Sequence, residues 1–127
     1  MNDLTKKQQL WSREKYRVMF HSQKHYNEIR EVLKQGKDIE RVDQLIEEAG
    51  KIEPTKGSVS NAYQHMWGYF KKNATEEERE AYRSKLDAFM DDKLGSDDLL
   101  AYLKRLAVKY GVEYLLKSTI LKSGIGE

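Results

Sequence analysis

Apolar side chains recur every three or four positions through most of the chain, and no segment sustains the polar–apolar alternation of a half-buried strand. This pattern predicts an all-α protein, a single compact bundle of about six helices. The first helix is expected from about Leu4 to Phe20. A second begins near Ser22, carries Tyr26, Ile29 and Leu33 on one stripe and stops at Gly36. Asp38 is the expected N-cap of a third helix, whose Val42, Leu45, Ile46 and Ala49 share a stripe with Ile39, and Gly50 ends it. Pro54 then forces a connection. A fourth helix, from about Ser58 to Asn73, turns Val59, Ala62, Met66 and Phe70 inward. Thr75 and Glu78 have the spacing of a capping box and mark the start of a fifth, with Tyr82, Leu86, Phe89 and Met90 on its apolar side. After Gly95 and Ser96, Leu99, Leu103, Leu106 and Tyr110 define a sixth, and Gly111 separates it from a short last helix through Ile120. Residues 1–122 are read as one domain and residues 123–127 as a flexible tail.

A chain of 127 residues, 39% of them hydrophobic, has room for one core. It contains no cysteine, which excludes disulfides, thiolate catalysis and sulfur-ligated metal or iron–sulfur centres. The opening MNDLTKKQQLW lacks the apolar core of a signal peptide, and no run approaches the roughly 20 apolar residues of a membrane span. A cytoplasmic protein with no membrane partner is expected.

The formal charge is only +2, but it is unevenly distributed. Residues 1–30 hold seven basic and three acidic side chains, and residues 54–74 hold three basic and none acidic; residues 31–53 and 75–98 are net acidic. If the first and fourth helices pack together, their basic segments share a face able to collect phosphates.

The fourth helix carries the densest chemistry. Ser58, Asn61, His65, Gly68 and Lys72 fall at helical spacing on one face, with Gln64 beside them. Carboxamides and an imidazole donate and accept hydrogen bonds at once, which suits recognition of bases, sugars or amides. The alternative is that Asn61 and His65 cross-link helices inside the fold. Gly68, at about 1 kcal/mol less favourable than alanine inside a helix, implies that another helix or a ligand approaches the backbone. On the first helix, Lys15 lies on the stripe that Trp11, Val18 and Met19 should bury, so it either snorkels past Trp11 to solvent or lines a pocket as a cation. His21 and His25 have the i, i+4 spacing of a helical metal site, but Ser22 interrupts the helix and no further ligand pattern supports one; neither a metal nor any other cofactor is expected. No nucleophile elbow or phosphate-cradling glycine loop is present. Trp11, Tyr63, Trp67, Tyr69 and Phe70 lie on the basic helices, where they are either core or surfaces for base stacking.

The runs WSREKYRVMFHSQKHY at 11–26 and NAYQHMWGYFKK at 61–72 resemble the YbgA-like domain, a small bacterial family. The matching positions are Trp11, Glu14, Lys15, Tyr16, Asn61, Gln64, His65, Gly68, Tyr69, Phe70 and Lys71, and the resemblance extends from about Trp11 to Tyr114. At the C-terminal side, Lys117 to Lys122 stands where members carry a Gln- and Pro-rich ending. Members occur alone or fused behind a desulfidase domain that removes sulfur from thiolated uracil, including 4-thiouridine in transfer RNA, with a cysteine-bound iron–sulfur cluster. Without cysteine this chain cannot hold that cluster, so the resemblance implies an accessory role that binds RNA or presents a modified nucleotide.

Both lines lead to one expectation: a non-catalytic RNA-binding module, with transfer RNA the foremost partner. Lys15, Arg17, Lys71 and Lys72 are expected on phosphates, Asn61, Gln64 and His65 on a base or ribose edge, and His21, Gly68 and Tyr69 at the same surface. Two alternatives stand beside it. One is a small enzyme or ligand-binding protein with His65 and Lys15 in a pocket between the first and fourth helices. The other is an adaptor for a separately encoded desulfidase or other partner protein.

Overall fold

The computed structural model describes residues 2–122. Those residues form eight helices and no strand: α1 (Asp3–His21), α2 (Gln23–Gln35), α3 (Arg41–Gly50), α4 (Lys56–Trp67), α5 (Glu76–Met90), α6 (Ser96–Lys109), α7 (Glu113–Leu116) and α8 (Thr119–Lys122). The architecture is all-α, and its six longer helices correspond to those the apolar spacing predicts. The tail expected at 123–127 lies outside the described residues.

Local chemistry sets most boundaries. Ser22, in extended backbone, ends α1 and caps α2, its Oγ accepting from the His25 N–H at 3.1 Å. Gly36 closes α2 in the left-handed region at φ +69°. Thr75 and Glu78 form the expected capping box. Asp38 is not the N-cap of α3: it is itself left-handed at φ 55°, and turns bonded from Arg41 to Asp38 and from Val42 to Ile39 precede a helix that starts at Arg41. The fourth helix begins two residues early because Thr55 and Ser58 make a second capping box. It ends at Trp67 instead of Asn73. Beyond it the N–H groups of Tyr69 and Phe70 reach back three residues, to Met66 and Trp67, so the chain tightens but keeps its path and Phe70 stays buried.

α1 is the spine between two apolar clusters. Tyr16 and Met19 face α4, α6 and the C-terminal turns, where Tyr63, Met66, Phe70, Leu99, Leu103 and Leu115 are sealed from solvent. Trp11 and Val18 face the other way, onto Ile29 of α2 and the predicted stripe of α3, Val42, Leu45, Ile46 and Ala49. Gly111, left-handed at φ 61°, turns the chain after α6, and Leu115, Ile120 and Leu121 return it to the first cluster. Thr119 Oγ1 donates to the Arg13 carbonyl at 3.2 Å, tying the C-terminal turns to α1.

A single carboxylate joins α5 to α6. Glu78 accepts hydrogen bonds from Lys109 Nζ, the Tyr110 hydroxyl and, at 2.9 Å, the Thr75 N–H. These bonds, Lys109 first, lower its pKa from the ordinary 4.5 to about 2. A depressed carboxyl pKa contributes stability that is fully present above 4.5 and is lost as pH falls through about 2. Glu78→Gln is therefore expected to lower the melting temperature at pH 7, with the gap to the parent closing between about pH 5 and pH 2. A gap that stays constant over that range in thermal melts would show that ionised Glu78 does not hold the two helices.

Candidate functional site

The inner face of α4 is committed to the core through Val59, Ala62, Tyr63 and Met66. Helical spacing then leaves Gln64 and His65 on the solvent side, and both are exposed. Gly68 is not in mid-helix: it is the C-cap, with φ −53°, and a Cβ there would meet the carbonyl of His65, in its own helix, at 3.1 Å. The glycine reflects local geometry, and neither a neighbouring helix nor a ligand is needed to explain it. Lys71 and Lys72 follow in the exposed turn.

Where α4 passes the junction of α1 and α2, a shallow groove of about 610 Å³ opens, lined by His21, Ser22, Gln23, Thr55, Gly57, Ser58, Asn61 and His65. Its lining contains no carboxylate, lysine or arginine. Ser58 Oγ donates to the Phe20 carbonyl at 2.8 Å, and Asn61 Nδ2 donates to Gln23 Oε1. His21 Nδ1 lies 2.8 Å from the Ile52 carbonyl, which can only accept, so this nitrogen carries the proton and Nε2 of the neutral ring is left as an acceptor. The groove thus presents hydroxyl, amide and imidazole groups and no permanently charged side chain. Such a lining discriminates among uncharged polar edges, as of a base or a ribose, better than among ions.

The cations of α1 have different fates. Lys7 is paired with Asp43 of α3. Arg17 Nε donates to Glu14 at 2.9 Å, and its guanidinium lies against Gly50, so it is held within the fold. Lys15 does not lie over Trp11. Its Nζ sits over the rings of Tyr114, at 4.9 Å, and Tyr16, at 5.3 Å. Tyr69 stacks on Tyr114 with ring centres 6.0 Å apart, and the hydroxyls of Tyr16 and Tyr69 are 3.0 Å apart. Burial, then the bond to Tyr69, pushes the Tyr16 phenol well above its ordinary pKa, so Tyr16 stays protonated. Tyr69 and Tyr114 remain 39% and 37% exposed. The result is a partly open tyrosine face with one ammonium on it, worth about 0.5–1 kcal/mol per cation–π contact at such exposure.

Lys15 does not line the His65 groove, so the two residues do not share one pocket. Of the aromatic side chains considered for stacking, Trp11, Tyr63 and Phe70 are buried in the clusters; Trp67 and Tyr69 reach the surface. Two groups absent from the sequence expectation belong to this surface. Gln23 is the hydrogen-bond partner of Asn61, and Tyr114 is the ring under Lys15. Tyr114 lies 99 positions beyond Lys15 in the chain, and helical spacing carries no information over that range.

No curated protein and no solved structure matches this chain. Residues 15–123, which include all the site residues of α4 and the Lys15–Tyr114 contact, match the family described as a protein of unknown function (DUF1722). The chain belongs to that family.

Proposed function

We propose that this protein binds RNA through the outer surface of α4 and the turn that follows it, with transfer RNA the first substrate to test. The supporting observation is the continuity of that surface. Gln64, His65, Tyr69, Lys71 and Lys72 are all exposed in one stretch, the uncharged groove adjoins its N-terminal end, and the Lys15–Tyr114 face adjoins Tyr69. No acidic residue occurs between 54 and 74 to repel a phosphate backbone. In this reading Lys15, Lys71 and Lys72 meet phosphates, while Asn61, Gln64, His65 and the free Nε2 of His21 read a base or ribose edge. Arg17, held by Glu14, contributes less than the sequence expectation assigned to it.

The resemblance to the YbgA-like domain supports the same role. A module that holds thiolated transfer RNA would serve a cytoplasmic bacterial desulfidase, which must supply the iron–sulfur chemistry that a chain without cysteine cannot.

Titration of labelled transfer RNA at rising salt is expected to give a log–log slope that becomes shallower by about 1.4–1.8 in Lys71→Gln/Lys72→Gln, two phosphate contacts at roughly 0.7–0.9 each. Gln64→Ala/His65→Ala, with both side chains exposed, should keep the parent's circular dichroism and melting temperature while weakening binding about 5- to 100-fold at unchanged slope. Parent-like affinity and slope in both double variants would remove the proposal. A melting temperature raised by a free metabolite but not by RNA would favour the small-ligand reading of the groove instead.

A further inference from the structure

A second concavity lies on the other flank of the same turn, between the end of α4 and the Arg79 to Leu86 stretch of α5. It measures about 320 Å³ and is lined by Trp67, Lys71, Arg79, Tyr82, Arg83 and Leu86. We propose that it is a binding site for a single nucleotide, its phosphate held by Arg79, Arg83 and Lys71 and its base laid against Trp67. The choice of a nucleotide among anionic ligands rests on the RNA reading; the site itself rests on the following geometry.

Three cations converge here and no carboxylate lines the groove. Arg79 and Arg83 stand four residues apart on α5, a like-charged spacing that is unfavourable to the helix by itself. An anion held between the two would offset that repulsion. Arg79 is already oriented: its Nη2 donates to the Lys71 carbonyl at 3.0 Å, while Glu76 approaches Nη1 only to 3.7 Å. A guanidinium fixed in this way offers its remaining N–H groups to phosphate oxygens with little further ordering.

The apolar side of the groove is aromatic. Trp67 and Tyr82 are parallel, with centres 4.4 Å apart and planes 4° from coincidence. Trp67 is half-buried and lines the groove, with Phe70 edge-on to it at 6.3 Å. Tyr82 is 6% exposed, and its hydroxyl is the buried side-chain polar atom, among the described residues, that has no hydrogen-bond partner. A groove of this volume lies at the low end of small-molecule sites and suits one nucleotide better than two. The sequence places α5 in the acidic part of the chain, and the summed charge hides the basic side that Arg79 and Arg83 present to Lys71.

The chain has two tryptophans, so its indole N–H signals form an internal comparison: Trp67 lines the groove and Trp11 lies in the α1–α3 cluster. Adenosine 5′-monophosphate added to the full chain is expected to shift the Trp67 signal and leave Trp11 in place. Adenosine or inorganic phosphate alone should require at least tenfold higher concentration. Arg83→Gln should weaken the mononucleotide at least fivefold without moving the melting temperature. The proposal is overturned if the mononucleotide leaves Trp67 unshifted, shifts both indoles equally, or binds Arg83→Gln as it binds the parent. The outcome is separable from the broader reading. Transfer RNA that binds the parent but not Gln64→Ala/His65→Ala, with no mononucleotide response at Trp67, removes this site and keeps RNA binding, whereas a mononucleotide response without any response to transfer RNA does the reverse.

Discussion

The rotational setting of α4 against α1 and the core governs the rest of the structure. Val59, Met66 and Phe70 each contribute about 1.5–3 kcal/mol by burial, and Ala62 and Tyr63 are fully enclosed beside them. The amide bond between Asn61 and Gln23, like any single hydrogen bond, contributes about 0.5–1.5 kcal/mol. The core therefore decides which way the helix faces, and the polar contacts at the α1–α2 junction only refine it. Once that face is set, Gln64, His65 and the turn through Lys72 have no inward option. The exposed chemistry of α4 is a geometric consequence of the face it buries.

The same constraint separates two kinds of polar environment that are adjacent in sequence. Toward its N-terminal end α4 adjoins an uncharged groove whose hydroxyl, amide and imidazole groups are partly satisfied by one another. Toward its C-terminal end the charges are cationic and sit beside aromatic rings: Lys15 over Tyr114 on one flank, Lys71 with the arginines of α5 around Trp67 and Tyr82 on the other. Nucleic-acid strands present this pair of chemistries side by side, neutral polar edges on the bases and sugars and negative charge on the backbone. Two of the remaining cations of α1 are spent on the fold, Lys7 with Asp43 and Arg17 with Glu14, whereas Lys6 and Arg13 are exposed.

What was legible in the sequence was local or periodic. The Thr75–Glu78 capping box, the stripe Val42, Leu45, Ile46 and Ala49 of α3 and the inward Val59, Ala62 and Met66 of α4 follow from spacing alone and stand as read, whereas Ile39 precedes α3 and is only half-buried. The errors arose where local geometry departed from the commonest use of a residue. Asp38 is a good capping residue by type but adopts a left-handed turn, and Gly68 reads as an interior glycine because the chain follows a helical path past the last i→i+4 bond. At the site, exposure of Gln64 and His65 could be inferred from the helix pattern, and the Glu14–Arg17 pair from its i, i+3 spacing, but the long-range contacts of Lys15 and Arg17 could not. Tyr114 and Gly50 reach them only through tertiary packing. The like-charged pair Arg79 and Arg83 was a visible signal at i, i+4, obscured by counting charge over the whole segment.

The most direct measurement is an amide correlation spectrum of the isotopically labelled chain titrated with transfer RNA or a single-stranded fragment of it. Shifts or broadening are expected at Gln64, His65, Tyr69, Lys71 and Lys72 and at the groove residues His21 and Asn61, while the buried α3 positions Val42, Leu45 and Ala49 stay unmoved. Changes confined to α2 and α3, or an unaltered spectrum at saturating RNA, would contradict the assignment of the outer side of α4 as the binding surface.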